Sequence, residues 1–344
     1  MGANRQIKVG ILTAPHIDYE LREHTFLLKN VRIGIGFHWD RHEDQEFAGQ
    51  LTIRNNADAT QTAINTIDLE DYLCSVISSE MNANSPMELL KAHAVISRSW
   101  AIRAMQKPNH EGFDVCADDH CQRYEGLHRM NERAVQAVRE TAGQVLMYND
   151  EICDCRYYKC CGGRTEVWRT CWEDIDVPYI QSVKCDFCKQ PSPQILRLVL
   201  NDYDQETKDF RDWQVTYTAE ELSDILRTKS GIDFGTITDL IPLKRGASGR
   251  IYELKIVGTK RTEIIGKELK IRLWLSPTCL YSSWFEIEKN FNSQFSIFNF
   301  KGHGWGHGAG LCQIGAAVMA SEGYNYEDIL HYYYAGTRLS TPAR

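Results

Sequence analysis

Apolar and polar positions alternate from the start of the chain. "IKVGIL", "VRIGIGF" and "FAGQLTIRNN", all within residues 7 to 70, repeat every second residue with turns between them, which predicts antiparallel strands. Across "NTIDLEDYLCSVISSEMNANSPMELLKAHAVISRSWAIRAMQ" the period lengthens to that of helices. Ser85, Pro86 and Glu88 there have the form of a helix start: a serine to cap, a proline for the first turn and a glutamate to close a capping box. That helix should run to about Gln106. "NERAVQAVRETA" predicts a second helix, ending at Gly143, and "QVLMYNDEICDCRYYKC" a hairpin turning at Asn149 and Asp150.

Further on, "TAEELSDILRTKSG" reads as a capped helix, "IYELKIVGTKRTEIIG" and "SQFSIFNFKG" as strands, and "GLCQIGAAVMASEG" and "NYEDILHYYYAG" as two short helices, each closed by glycine. The expected class is α+β, a mixed core of antiparallel sheet and helix with a smaller inserted α+β subdomain. The expected divisions are a β-rich segment over 1–67 packed on the core, a helical and hairpin core over 68–194, the α+β subdomain over 195–300, and a Gly/His loop with C-terminal helices over 301–344 that completes the core. No internal repeat or low-complexity linker marks the borders.

Composition narrows the class. With 344 residues, 43% hydrophobic and 25% charged, the chain can bury a large core. A net charge of −7, with no basic stripe, argues against a nucleic-acid partner. No apolar run approaches the roughly 20 residues of a membrane helix. "MGANRQIKVGIL" lacks the apolar centre of a secretory signal, so no signal peptide or transmembrane segment is expected in this chain.

The 12 cysteines gather between residues 116 and 188, with Cys74, Cys279 and Cys312 outside. Such clustering suggests metal sites or local disulfides. "NHEGFDVCADDHCQ" offers His110, Cys116, His120 and Cys121, two imidazoles and two thiolates of the kind that hold tetrahedral zinc. We take that reading over a local Cys116–Cys121 disulfide. Because all four ligands would be protein atoms, the zinc would be structural, and no organic cofactor is expected. For Cys153, Cys155, Cys160, Cys161, Cys185 and Cys188, a second metal, disulfides and buried thiols all stay open. The "KCDFCK" pair is followed by "KQPSP", not by the helix that a thioredoxin-like redox motif needs.

Glu80 falls in a polar break between two helical segments, where a partly desolvated carboxyl can face a cleft and act as a general acid. In "KGHGWGHGAGLCQIGA" the alternating glycines would let the backbone turn tightly and approach a ligand, with His307 and Gln313 as donors to it. His303 is a weaker candidate, and the alternative is that this loop packs against the Glu80 helix with its histidines satisfying buried backbone groups.

The stretches "LEDYLCSVISSEM", "ELLKAHAVISRSWA", "DDHCQRYEG", "KCCGGRTEVW", "GHGWGHGAGLCQIGAAVMA" and "ILHYYYAGT" resemble, in order and spacing, the SpoIID/LytB family of stage II sporulation protein D-like proteins. The resemblance covers about residues 7 to 338. His93 stands where the family commonly has glutamine, Ser99 where it has threonine, His303 where arginine is frequent and Cys312 where serine is common. The resemblance implies a lytic transglycosylase that cleaves peptidoglycan glycan strands, with Glu80 as the catalytic acid. The substrate's own C6 hydroxyl would close a 1,6-anhydro-muramic acid ring, so one carboxyl suffices where ordinary glycosidases need two. Lys91, Arg98 and Tyr158 are candidate cleft partners. Lys91 and Arg98, seven residues apart, share a helix face. Two other readings remain: a wall-binding protein that enhances a cell-wall amidase, and a zinc-dependent hydrolase. A wall substrate points to the cell envelope or periplasm, while the missing signal leaves the cytoplasm open.

Overall fold

The computed structural model describes residues 5–36, 40–82, 84–118, 120–200, 204, 210–291 and 296–341. The chain begins with six strands: β1 (Gln6–Ala14), β2 (Tyr19–Leu21), β3 (Thr25–Ile33), β4 (Arg41–Ala48), β5 (Gln50–Asn55) and β6 (Gln61–Asp68). They pair antiparallel as β5-β6-β1 and β2-β3-β4, as the two-residue period predicts. Ile7 and Val9 on β1 and Phe26 and Leu28 on β3 are buried, two residues apart on their strands. One pairing has no signal in the pattern. Val115–Cys116 joins the free edge of β1 in parallel, tying the Cys/His loop to the first sheet.

Asp68 caps the next helix, α1 (Leu69–Glu80), by accepting from the Glu70 N–H, and acidic Glu70 and Asp71 sit in its first turn, where the helix dipole favours negative charge. The long helix α2 (Met87–Gln106) follows. The capping box expected at its start is not formed. The Ser85 hydroxyl donates instead to the Leu198 carbonyl (3.0 Å). Glu88 accepts from the Tyr326 N–H (2.8 Å) and pairs with Lys91 (3.1 Å), so both residues are used by tertiary partners. Helix α3 (Glu132–Glu140), capped by Asn131, packs on α1 and α2. The hairpin of Val145–Tyr148 with Glu151–Ile152 turns on Asn149 (φ 47°) and Asp150 (φ 64°), the paired left-handed residues of a type I′ turn.

A second hydrophobic core, including Leu222, Leu226, Leu254, Phe285, Phe298 and Phe300, is enclosed by two three-stranded sheets and the helix Ala219–Ser230. One sheet orders Asp212–Thr218, Ser296–His303 and Phe285–Phe291; the other joins Ile237–Arg245, Ile251–Gly258 and Thr262–Ile265. The helix has a complete Thr218/Glu221 capping box and ends on left-handed Gly231, which is what its sequence predicts.

The chain then returns to the first core. Gly306 (φ 100°) and Gly310 (φ 88°) lie in the left-handed region, and a Cβ would meet the Tyr158 Cβ at 2.7 Å in the first and the Arg156 carbonyl oxygen at 2.0 Å in the second. Only glycine allows that approach. It lets Leu311–Cys312 pair in parallel with Tyr157–Tyr158 before the helices Gln313–Ser321 and Tyr326–Tyr333 pack back on α2. Among the described residues no helix is long and apolar enough to cross a membrane.

Candidate functional site

Glu80 is the last residue of α1 and is partly exposed. Its Oε1 accepts from the Arg123 backbone N–H (3.1 Å) and from the Tyr157 hydroxyl (3.0 Å). Two donors thus converge on one carboxyl oxygen. Neither neighbour is a second carboxylate.

The first donor is fixed by one face of α1. Tyr72 donates to Gln122 Oε1 (3.1 Å), Ser75 to the Gly126 carbonyl (2.7 Å), and Ser79 accepts from the Glu125 N–H (3.2 Å). Positions 72, 75 and 79 recur at the helical period, so this face grips the segment 122–126 and brings the Arg123 N–H to Glu80.

The second donor, Tyr157, is held from both sides. Burial, and then the charge of Glu80, push its phenol well above the ordinary pKa, so the hydroxyl keeps its proton and donates. His307 donates from Nε2 to the Tyr157 carbonyl (3.0 Å), and its Nδ1 accepts from the Ala309 N–H (3.1 Å). Desolvation, reinforced by Arg156, Arg272 and Arg250, lowers the His307 pKa well below its usual value, which keeps that tautomer neutral. On the other side the His93 ring meets the Tyr157 ring edge-on with centroids 4.4 Å apart. Burial, and then the Lys159 cation, bring the His93 pKa down to about 3. Gln313 Nε2 donates to His93 Nε2 (3.0 Å), leaving Nδ1–H to donate to Ser97 (3.2 Å).

Several expected substrate contacts are therefore placed elsewhere. His307 and Gln313 reach Tyr157, directly and through His93, with both ring nitrogens of His307 and the Nε2 of Gln313 bonded within the fold. Lys91 and Arg98 do share a face of α2, but it is turned toward α3 and the loop after it. Lys91 pairs with Glu88 and with Glu140 (2.8 Å). Arg98, 1% exposed, donates to both oxygens of Glu70 (2.8 and 2.7 Å) and to the Gln144 carbonyl (3.0 Å). A guanidinium so buried, held also by the Val138 carbonyl (3.3 Å), is closed off from a sugar. Tyr158 faces away from Glu80: its ring packs at 5.2 Å from His307, because neighbouring residues of a strand point to opposite sides. His303 bonds Asp212 (2.6 Å). Beside Glu80, sequence reasoning missed Tyr157 and the Arg123 amide. Strand alternation could have exposed the first, since Tyr157 and Tyr158 cannot both face Glu80. Two open surface concavities, one beside Arg22 and His24 and one along Glu132–Glu140, do not include Glu80.

His110, Cys116, His120 and Cys121 come together as the sequence suggests. All four ligand atoms lie within 4.8 Å of one another, with His110 Nε2 3.2 Å and His120 Nδ1 3.5 Å from Cys121 Sγ. Nitrogen and sulfur atoms in that spacing fit tetrahedral zinc, and Cys121 leads directly into the segment that holds Glu80.

A family profile described as Stage II sporulation protein matches residues 57–148, and one described as a domain of unknown function matches residues 166–310. An uncharacterised protein of Brachyspira hyodysenteriae is 31% identical over 81% of this chain and 68% of its own length. The stage II sporulation protein D of Bacillus subtilis is 28% identical over 81% of this chain and 76% of its own. A Bacillus subtilis protein named Amidase enhancer is 28% identical over 78% of this chain, which spans only 40% of that relative's length. The chain belongs to the SpoIID/LytB family.

Proposed function

We propose that the protein acts on the bacterial cell wall as a lytic transglycosylase, cleaving peptidoglycan glycan strands with formation of 1,6-anhydro-muramic acid. The observation that carries the reading is the Glu80 carboxyl, anchored through Oε1 by Arg123 N–H and Tyr157 OH. Protonated on Oε2, Glu80 gives its proton to the glycosidic oxygen as the C1–O bond breaks. Its carboxylate then takes the proton of the C6 hydroxyl, whose oxygen closes on C1. The two donors on Oε1 stabilise the charge left on the carboxylate between these steps. Replacing Glu80 with glutamine removes the transferable proton and should cost roughly 10²-fold or more in rate. Glycan binding should survive. Mass spectrometry of products from purified strands should find anhydro ends, one water lighter than hydrolysed ends. Hydrolysed ends, or undiminished cleavage by Glu80→Gln, would refute the mechanism.

His110, Cys116, His120 and Cys121 would hold a structural zinc that fixes the loop leading into Arg123. Four protein ligands leave no open coordination position for a catalytic water, which weighs against a zinc hydrolase. One relative's name, Amidase enhancer, favours a second reading in which the protein binds wall and raises an amidase's activity. Glycan binding by the unaltered protein without any cleavage would favour that reading.

A further inference from the structure

Four buried cysteines from three separate segments meet on the side of the Tyr157–Tyr158 strand near Cys312. Cys161 follows that strand, Cys185 and Cys188 flank a short 3₁₀ turn, and Cys312 caps the helix Gln313–Ser321. Their sulfur atoms all lie within 4.8 Å of one another. We propose that Cys161, Cys185, Cys188 and Cys312 bind a single metal ion, zinc or iron, in a second structural site distinct from the Cys/His set.

Spacing supports a mononuclear site. A tetrahedron with metal–sulfur bonds of about 2.3 Å sets its sulfurs about 3.8 Å apart, while a cluster of several irons would spread them farther than these lie. Backbone amides point at two of the sulfurs. Cys312 Sγ accepts from the Cys161 N–H (3.3 Å) and the Gly315 N–H (3.4 Å), and Cys161 Sγ accepts from the Gly163 N–H (3.3 Å). Cys185 Sγ lies 3.3 Å from the Tyr333 hydroxyl. Amide donors aimed at sulfur are what metal-bound thiolates require from their surroundings. Space is reserved as well: a Cβ on Gly315 would stand 2.8 Å from Cys185 Sγ and 2.3 Å from the Tyr333 hydroxyl oxygen. Binding of a divalent ion would release the four thiol protons and leave a net charge of two minus, beside which Arg250 donates to the Cys161 carbonyl (3.3 Å). Cys160 is a fifth buried thiol next to the set, outside the mutually close four.

The purified full chain, kept reduced, tests this without reference to activity. In the double variant Cys116→Ser/Cys121→Ser, elemental analysis should still find about one zinc or iron per chain, and X-ray absorption should show an all-sulfur shell near 2.3 Å. Cys160→Ser should keep that metal and Cys185→Ser/Cys188→Ser should lose it. If the double variant fails to fold, the same measurement on the unaltered protein decides: two zinc sites average to about three sulfurs and one nitrogen per zinc, an iron in the four-cysteine site gives an all-sulfur shell at the iron edge, and the Cys/His site alone gives two and two at the zinc edge with no iron. No metal in the first variant, a two-and-two zinc shell with no iron in the unaltered protein, disulfides among the four in a peptide map, or loss of the metal in Cys160→Ser would overturn the assignment.

Discussion

Changing Tyr157 to phenylalanine tests the core of the site, because it deletes one hydroxyl and keeps the ring that packs against His93. The lost contact is a 3.0 Å bond to Glu80 Oε1. A hydrogen bond to a charged group contributes about 1.5–3 kcal/mol, and 1.36 kcal/mol is tenfold in rate, so cleavage should slow roughly 10- to 150-fold. The Arg123 amide still holds Oε1, so activity should fall without vanishing. Tyr158→Phe is the matched control. The Tyr158 hydroxyl is buried with no hydrogen-bond partner among the described residues, so its removal should leave the rate unchanged and should not lower the melting temperature. Release of anhydro-ended fragments from purified strands, measured for both variants at equal folded concentration, reads the difference. Equal rates for Tyr157→Phe and the unaltered protein, or a larger loss in Tyr158→Phe, would refute the argument that Tyr157 holds the acid.

Other expectations follow from the same contacts. Arg98→Met leaves the half-buried Glu70 with the Gly143 N–H (3.3 Å) and should destabilise the fold by about 1–3 kcal/mol, while cleavage per folded molecule, measured below the melting point, stays intact. His93 is held neutral to about pH 3 but titrates near 6.5 when unfolded, so the unfolded chain binds the extra proton between those values. Stability from this residue is present above pH 6.5 and falls by up to about 1.4 kcal/mol per pH unit as pH drops toward 3. His93→Gln should flatten that decline in urea midpoints taken at pH 7, 5 and 4, and an unchanged slope would count against it. Cys121→Ser should lower the zinc content and the melting temperature, with activity lost only as the 122–126 segment loosens. An unchanged melting temperature would show that the loop needs no metal.

Much of this was legible in the sequence because local physics decides it. Strand alternation in β1–β6, the Asn149–Asp150 turn and the Thr218/Glu221 box need no distant partner to form. The Ser85/Glu88 box failed for the opposite reason: residues more than a hundred positions away, Leu198 and Tyr326, outcompete the local bonds. The same limit governs the site. Glu80 stands out through the family resemblance, since a helix-end glutamate alone is most often solvated, and the Cys/His set through its nearness in the chain. Nothing local tells whether the shared face of Lys91 and Arg98 looks onto a groove or onto α3. Nor does it tell that the histidine in the glycine-rich loop serves a tyrosine backbone rather than a ligand. The four cysteines were visible singly, but only the return of the chain at Cys312 makes them a set.

That return also sets an order in time. The His307 bond to the Tyr157 carbonyl spans 150 residues, and contacts of such separation must first close a large loop. During synthesis the early segments emerge and fold first, so α1 presents its carboxyl long before the glycine-rich loop exists to secure Tyr157. A nascent or truncated chain would carry the acid without the brace that aims it. The brace on Tyr157 is therefore among the last contacts of this region to form.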